Sequence, residues 1–347
     1  MRMNLIKNKT ALALAMLCPA CQVPEVDQAR VERRLAMMGT ELHLVVFGTD
    51  RSQALMASEA AVRALESTEQ RLSTWREQSE LSRLNRSAVE AETAISPELH
   101  QDLMQVREWS RRLDGAFDPT LAPLVELWQL RRGGRNRLPS PEALHQALQA
   151  CGLGHWQPRD GHWKRLHPQA GWEEGAFGKG IGLDRALAAL EAAGASQGEI
   201  NLGGQIALLA ETEATLQVAD PRDRLLPVVE LNLQGGSLAT TGNSERGIQV
   251  AGRSMGHVLD PRTGKPAPDF GSLTVWAASA TDADCLSTGL YVLGADAALQ
   301  WAEKVAGVEV LVLEKPIPGS PTQALSLRYS SGLTDRIRVL LPDAMEG

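Results

Sequence analysis

Two oxygen-bearing side chains near the C-terminus, Asp284 and Thr288, are four residues apart, with Ser287 between them. On an α-helix, residues four apart lie on one face, so a carboxylate would lie beside a hydroxyl. Oxygen ligands of this kind suit a hard cation such as Mg²⁺, which completes its coordination with phosphate oxygens and water. The alternative is a capping box that starts at Thr281, in which Asp284 only satisfies a free N–H at the helix start. The local pattern alone favours the cap.

A second set of reactive side chains lies in GHVLDPRTGKPAP, residues 256–268. His257 precedes Val258 and Leu259, which resemble the end of a buried strand, and Asp260 opens a turn rich in Pro and Gly. A neutral imidazole near pH 7 can take a proton from a hydroxyl. The alternative is a surface hairpin with incidental charges, and the stretch by itself favours that alternative.

Three further segments carry glycines or hydroxyls that suit a bound ligand. Residues 175–184 form a glycine-spaced loop leading into a helix, where exposed backbone N–H groups bind anions such as phosphate. A flexible loop with a helix cap is the alternative. Residues 201–206, NLGGQI, form a strand interrupted by two glycines, which indicates close approach of a ligand or another strand. Residues 238–247 offer hydroxyls or form only a turn.

The elements that must position these residues indicate an α+β protein. Apolar spacing predicts a helix over residues 52–72, and Ser-Pro starts predict helices that begin after Ser96 and Ser140. Alternating segments at 41–47 and 229–234 predict strands. Helices come early and strands cluster later, with hairpins between single helices. We therefore predict a single compact body with a mostly antiparallel sheet core and flanking helices.

Composition excludes some classes of function. The chain has 347 residues, of which 43% are hydrophobic and 22% charged, as in globular proteins. The net charge of -7 argues against nucleic-acid binding, because such proteins need a cationic surface to displace counterions.

The N-terminus predicts export. A basic start followed by a short apolar run indicates a signal peptide over residues 1–21. Cys21 at its end predicts a lipid anchor, with cleavage by ordinary signal peptidase as the alternative. Residues 22–347 would then form one domain on the periplasmic face of a bacterial membrane.

Taken together, these segments resemble the ApbE family, the FAD:protein FMN transferases, over nearly the whole mature chain. In family order they are MGT (38–40), LSTWREQSELSRLN (72–85), GAFDPTLAPLVELW (115–128), GKGIGLD (178–184), NLGG (201–204), ATTGNSER (239–246), HVLDPRTGKP (257–266) and DADCLSTGLYVLG (282–294). No single motif identifies the family, but the motifs occur along the chain in the same order as in the family. The resemblance implies an ApbE or T-fold-like architecture.

The resemblance also implies a reaction. The family uses Mg²⁺ to cleave the pyrophosphate of FAD, attaches FMN through a phosphoester to a Thr or Ser hydroxyl of an acceptor protein, and releases AMP. It assigns the metal to the side chains of Asp284 and Thr288 and to main-chain oxygens of Gly178 and Ser287. The residues that it assigns to FAD binding are Met38, Asp118, Lys179, Asp184, Asn201, Gly203, Gly204 and Thr241.

His257 is the candidate base for the acceptor hydroxyl, with a structural hydrogen bond to a phosphate or to backbone as the alternative, and Asp260 is either its orienter or a turn-forming residue. The sequence departs from the family pattern at Gln205, where Asp or Asn is usual, and at Thr241, where Ser is commoner. Residues 173–177 also differ from the usual acid-Leu-Gly-Gly. These changes leave the metal and histidine positions intact.

Three alternative functions share many of these features. A Mg²⁺-dependent FAD pyrophosphatase would use the same residues, with water in place of the acceptor. An exported lipoprotein that only binds flavin would lack turnover, and a solute-binding lipoprotein for another ligand would not bind flavin at all.

Overall fold

One large sheet forms the centre of the fold. A computed structural model describes residues 28–135, 137–243, 248–316, 323–340 and 345–346. The predicted export signal, Cys21 and the Ser244–Arg246 part of the ATTGNSER segment lie outside the described residues. No helix in the described ranges is both long enough and apolar enough to cross a bilayer.

The described elements alternate between hairpins and single helices. The strands are β1 (Ala29–Met37), β2 (Thr40–Gly48), β3 (Glu92–Ala94), β4 (Gly134–Arg135), β5 (Trp156–Arg159), β6 (His162–Arg165), β7 (Gln197–Leu202), β8 (Gln205–Asp220), β9 (Asp223–Gly242), β10 (Ile248–Val250), β11 (Arg253–Met255), β12 (Leu259–Asp260), β13 (Lys265–Pro266), β14 (Gly271–Ala277), β15 (Val308–Glu314), β16 (Leu325–Tyr329), β17 (Ile337–Val339) and β18 (Met345–Glu346). The helices are α1 (Arg51–Leu72), α2 (Glu80–Asn85), α3 (Pro97–Arg112), α4 (Ala122–Leu127), α5 (Pro141–Ala150), α6 (Gly178–Ala192), α7 (Ala280–Leu293) and α8 (Ala295–Ala302).

The main sheet is almost entirely antiparallel. Its strands lie in the order β1, β2, β7, β8, β9, β14, β15, β16 and β18, and β17 pairs with β9. Only β16 and β18 run parallel within the described part of this sheet. Alternation along β2 shows why it forms here: Leu42, Leu44 and Val46 are fully buried on one face, whereas the residues between them are not. The predicted α+β fold with a mostly antiparallel sheet is confirmed.

Helices cover the sheet with two apolar cores. Helices α1 and α6 pack on β1, β2 and β7, and α1 buries a stripe of residues at helical spacing: Ala54, Ala57, Ala61, Leu65 and Leu72. Helices α3, α7 and α8 pack with β14 and β15 around the other core. Helix α7 thus lies between the sheet and α3, and most of its residues are buried.

The predicted starts of two helices are confirmed. The Ser96 hydroxyl accepts a hydrogen bond from the Leu99 N–H at 3.1 Å, and α3 begins with Pro97. The Ser140 hydroxyl accepts from the Ala143 N–H at 3.2 Å in the same way. Each side chain satisfies a free N–H at a helix end, which is a local effect and therefore predictable from local sequence.

The glycine-rich segment that was predicted to be a loop is instead helical from Gly178, and forms the first two turns of α6. Glycines weaken a helix by about 1 kcal/mol each, so packing must favour them here. A Cβ on Gly180 would lie 2.5 Å from the carbonyl oxygen of Ala280, and a Cβ on Gly182 would lie 3.1 Å from the Met38 sulfur. The loop prediction was wrong because these glycines permit close packing rather than flexibility.

The NLGG segment is a hairpin turn rather than an interrupted strand. Leu202 pairs with Gln205, so Gly203 and Gly204 form a two-residue turn between β7 and β8. Their φ angles are +58° and +90°, in the left-handed region that two-residue hairpin turns require. The Asn201 side-chain oxygen accepts from the Gly204 N–H at 3.0 Å.

We expect Gly203→Ala to lower the free energy of unfolding by about 1–3 kcal/mol, as measured by urea denaturation. The added Cβ would be forced into a left-handed conformation and would lie 2.5 Å from the Thr40 hydroxyl oxygen. Gly154→Ala is the matched control, because an added Cβ there meets nothing within 4 Å. Equal effects of the two substitutions would contradict a structural role for Gly203.

Candidate active site

The N-termini of α6 and α7 meet, and Asp184 of α6 caps the start of α7. Its carboxylate accepts from the N–H groups of Ala280 and Thr281 at 2.7 and 2.9 Å. It also accepts from the hydroxyls of Ser279 and Thr281, at 2.7 and 2.6 Å. Free N–H groups and the positive end of the helix dipole make this a favourable place for a carboxylate. The predicted FAD-binding residue Asp184 therefore holds the helix that carries the candidate metal ligands.

Asp284 of α7 makes the converse contact with the start of α6. Its carboxylate, 4% exposed, accepts from the Gly180 N–H at 3.0 Å and lies 3.0 Å from the Lys179 ammonium nitrogen. The capping-box alternative is wrong, because the free N–H groups at the start of α7 bond to Ser279 and Asp184: the Ser279 hydroxyl accepts from the Asp282 N–H, and Asp184 accepts from the N–H groups of Ala280 and Thr281. Asp284 thus lies against the glycine-rich start of α6, where the sequence analysis placed an anion site.

The next turn of α7 carries Ser287 and Thr288. The Thr241 hydroxyl at the end of β9 donates to the Ser287 hydroxyl at 2.9 Å, and Ser287 donates to the Asp284 carbonyl at 3.1 Å. These bonds link β9 to α7 through the Ser287 hydroxyl. The Ser287 carbonyl is the group that the family resemblance assigns to the metal. The half-buried Thr288 side chain has no hydrogen-bond partner among the described residues.

His257 lies half-buried just before β12 and is linked to the same helix. A Cβ on the preceding Gly256 would lie 2.4 Å from the Asn243 side-chain oxygen, so the two segments are in close contact. The Asn243 amide donates to the Tyr291 hydroxyl at 3.0 Å, and Tyr291 lies one turn beyond Ser287 on α7. The segment that carries His257 is therefore linked, through Asn243 and Tyr291, to the helix that carries the candidate metal ligands.

Asp260 forms the turn after β12. Its carboxylate accepts from the Arg262 N–H and from the Arg262 guanidinium at 2.9 Å, and its carbonyl accepts from the Gly264 N–H at 2.8 Å. Of the two roles considered for Asp260, these contacts favour turn formation. They make the loop after His257 rigid.

Asp118 also forms a turn, in the DPT motif. Its carboxylate accepts from the Thr120 N–H at 2.8 Å and from the Thr120 hydroxyl at 2.6 Å. Burial raises the pKa of Asp118. The preceding Phe117 packs on α7, since a Cβ on Gly289 would lie 2.8 Å from the Phe117 Cβ. Asp118 is thereby held beside the turn of α7 that carries Thr288.

The MGT and NLGG turns meet beside α6. Met38 and Gly39 form the turn between β1 and β2, with φ of +50° and +71°, and Met38 packs against Gly182. Gly203 packs against Thr40. A groove of about 620 Å³ adjoins the first turn, and it is lined by residues 34–41, Glu69 and Arg76. Asn201, Gly203 and Gly204 have a structural role in this arrangement, whereas Met38 borders a cavity.

The predicted metal ligands differ in kind from those of a transition-metal site. The described residues contain no group of three or more His, Cys, Asp or Glu that could hold a metal ion. Asp284, the Thr288 hydroxyl and two backbone carbonyls form a set of hard oxygen donors with one negative charge. Such a set fits Mg²⁺, which keeps water and substrate phosphate in its coordination sphere. In this structure the Asp284 carboxylate is paired with the Lys179 ammonium, 3.0 Å away.

Comparison with known proteins accounts for this combination of motifs and geometry. The model of the ApbE family matches residues 38–312. The chain belongs to the ApbE family. A Treponema pallidum FAD:protein FMN transferase is 29% identical, over 94% of each chain, and the Haemophilus influenzae protein of that name is 28% identical, over 87% of this chain and 90% of its own. The ApbE protein of Thermotoga maritima superposes with a TM-score of 0.79 at 25% identity, covering 89% of this chain and 100% of its own. The predicted ApbE membership and fold are confirmed.

Four residues of this ApbE chain that were not among the predicted site residues form a hydrogen-bonded cluster before α6, and one of them, Glu174, packs against Gly178. Glu174 accepts from the Thr74 N–H at 2.9 Å and from the Thr74 hydroxyl, and its side chain packs against Gly178. Arg131 binds both Thr74 and Glu173. Burial and the neighbouring Glu174 raise the pKa of Glu173 to about 7, although Arg131 opposes the shift. An arginine in an irregular loop has no periodic sequence signal, and only its contacts identify it.

We expect Asp184→Ala to lower the free energy of unfolding of this ApbE protein by about 2–4 kcal/mol, because it leaves buried N–H and hydroxyl donors without their acceptor. Urea denaturation measures the change. Asp50→Ala is the matched control, because Asp50 caps α1 through a single exposed bond to the Gln53 N–H, and its loss costs about 0.5–2 kcal/mol. A loss no larger than that of the control would show that Asp184 does not hold α7.

Proposed function

We propose that this chain is a Mg²⁺-dependent FAD:protein FMN transferase. The observation that carries the proposal is the contact of the Asp284 carboxylate with Gly180 and Lys179 at the N-terminus of a helix. Helix N-termini attract phosphate. Because a carboxylate in the same place repels phosphate, the two can bind side by side only with a cation between them. The names of the Treponema and Haemophilus relatives support the same reaction.

In the proposed reaction the acceptor hydroxyl attacks the phosphorus of the FMN half of FAD. A new P–O bond forms to the Thr or Ser oxygen, and the bond from that phosphorus to the bridging oxygen breaks. AMP leaves with the electron pair of the broken bond, and the hydroxyl proton passes to His257. Transfer of this kind depends on positioning and on neutralising charge more than on covalent chemistry by the protein.

Asp284, Thr288 and the carbonyls of Gly178 and Ser287 are the residues that would hold Mg²⁺. When bound, the ion supplies positive charge that stabilises the developing phosphate charge. Lys179 contributes a second positive charge at the same carboxylate. The capping contacts of Asp184 keep the starts of α6 and α7 together, so its role in the reaction is to position these groups.

FAD would extend from this charged centre along the neighbouring turns. Met38 borders the groove of about 620 Å³ beside β1, and Thr241 lies beside Ser287. Asp118 is held in its turn by Thr120, and the preceding Phe117 packs against Gly289 of α7. We assign these residues to FAD contacts, and we assign Asn201, Gly203 and Gly204 to the shape of the adjoining wall.

We also infer that the protein is exported and anchored to the periplasmic face of a membrane through Cys21. The basic and apolar pattern of residues 1–21 supports this inference. Mass spectrometry of the membrane fraction would test it, since a lipidated protein begins at Cys21 and carries the added acyl mass.

Mass spectrometry of a co-expressed periplasmic acceptor tests the transferase itself, with covalent FMN on Thr or Ser as the expected result. Release of free FMN and AMP without a modified acceptor would favour the pyrophosphatase alternative. Tight FAD binding without AMP release in excess Mg²⁺ would favour a protein that only binds flavin.

We expect Asp284→Ala to lower the rate of AMP release from FAD by about a hundredfold or more, because it removes the charged ligand at the phosphate site. Weak FAD binding should persist, as measured by flavin fluorescence. Asp282→Ala is the control on the same helix, because Asp282 contacts Trp109 outside the site. If Asp284→Ala released AMP at the wild-type rate, Asp284 would not be a metal ligand.

We expect His257→Ala to slow FMN transfer to an acceptor by about 10²–10⁴-fold, which is the usual contribution of a general base. FAD affinity should change far less, because the imidazole acts on the acceptor hydroxyl. His145→Ala, on the exposed face of α5, is the control. Proportional losses of transfer and FAD affinity would assign His257 to substrate binding instead.

A further inference from the structure

A groove of about 330 Å³ is bordered by Gly256, the residue before His257. Its lining residues are Asn243, Met255, Gly256, Pro266, Ala267 and Asp269. None of them is a Lys or Arg, so this lining does not suit the phosphates of FAD. The side-chain oxygen of Asn243 is buried and has no hydrogen-bond partner among the described residues. The groove therefore has two small residues in its wall, Gly256 and Ala267, and Gly256 directly precedes the candidate base in the chain.

One wall of the groove is the end of an edge strand. Strands β11, β10 and β4 form a small sheet in that order, so β10 occupies one edge of β11. Within the described residues no strand pairs with the other edge. An open edge presents N–H and C=O groups that can bind an extended peptide. Strand β11 ends at Met255, and His257 follows two residues later.

The register identifies the backbone groups at this open edge. Val250 pairs with Arg253 across the two-residue turn, and the next pairs are Gln249 with Ser254 and Ile248 with Met255. The pair that closes a two-residue turn is hydrogen-bonded, and hydrogen-bonded and non-hydrogen-bonded pairs alternate along an antiparallel ladder. The N–H and C=O of Ser254 therefore point away from β10, towards the open edge.

We propose that the acceptor polypeptide binds as an extended strand along β11, with its Thr or Ser hydroxyl brought to His257 through this groove. The inference rests on the proposed transferase function and names the partner of that site. Main-chain hydrogen bonds to Ser254 give the acceptor its orientation.

A blocked nine-residue peptide library with a central Thr and randomised flanking positions tests the proposal, with FAD and Mg²⁺ present and mass spectrometry as the readout. The wild-type protein should attach FMN to the central Thr of library members. Ser254→Pro removes the outward N–H and is tolerated in an edge strand. It should lower the ratio of peptide-bound to free FMN by tenfold or more. Ser254→Ala, which keeps the N–H, should retain the wild-type ratio.

A second measurement uses only the wild-type protein. A peptide that accepts FMN is made in a series of variants, each with one N-methyl group at a different backbone position. Every second variant should fail to accept FMN, because only every second N–H of a strand faces its partner. Equal tolerance at all positions, or a Ser254→Pro ratio equal to that of the wild type, would overturn strand binding while the transferase stands. If the wild-type protein releases AMP and free FMN but labels no peptide and no co-expressed acceptor, the transferase function fails and this inference fails with it.

Discussion

The exchange of carboxylates between α6 and α7 is the constraint on which the candidate site depends. Asp184 satisfies the N–H groups at the start of α7, and Asp284 satisfies the Gly180 N–H at the start of α6. Both contacts require the two backbones to approach closely, which only glycine at position 180 permits. Each helix therefore fixes the position and the electrostatic environment of the other.

This arrangement brings together two charges that would otherwise conflict. The N-terminus of α6 attracts an anion, yet Asp284 already places a negative charge there. A phosphate can bind beside that carboxylate only if a cation shares the site. Lys179 supplies one positive charge, and the Thr288 hydroxyl and nearby carbonyls provide neutral oxygens for a second cation. The geometry thus agrees in electrostatic terms with the divalent ion of the proposed reaction.

The features that were predictable from the sequence are those that arise locally. The Ser96 and Ser140 caps and the alternation in β2 depend on residues within a few positions of one another, and all three are confirmed. The role of Asp184 could not be found in this way, because its partners lie about a hundred positions further along the chain. The same limit explains the wrong capping box at Asp284 and the wrong loop before α6. The family resemblance assigned both Asp184 and Asp284 to the site, because it matches motif positions and does not depend on knowing their contacts.

The outcome of the proposed reaction depends on what surrounds the imidazole more than on the imidazole itself. A base that can take a proton from a Thr hydroxyl can also take one from water, so His257 alone does not separate transfer from hydrolysis. The rigid turn at Asp260 fixes the chain after His257, and the contact of Gly256 with Asn243 fixes the chain before it. A backbone held on both sides favours a nucleophile that arrives in one orientation. A water molecule can approach from many directions, whereas a peptide strand bound along β11 would bring its hydroxyl to His257 in one orientation.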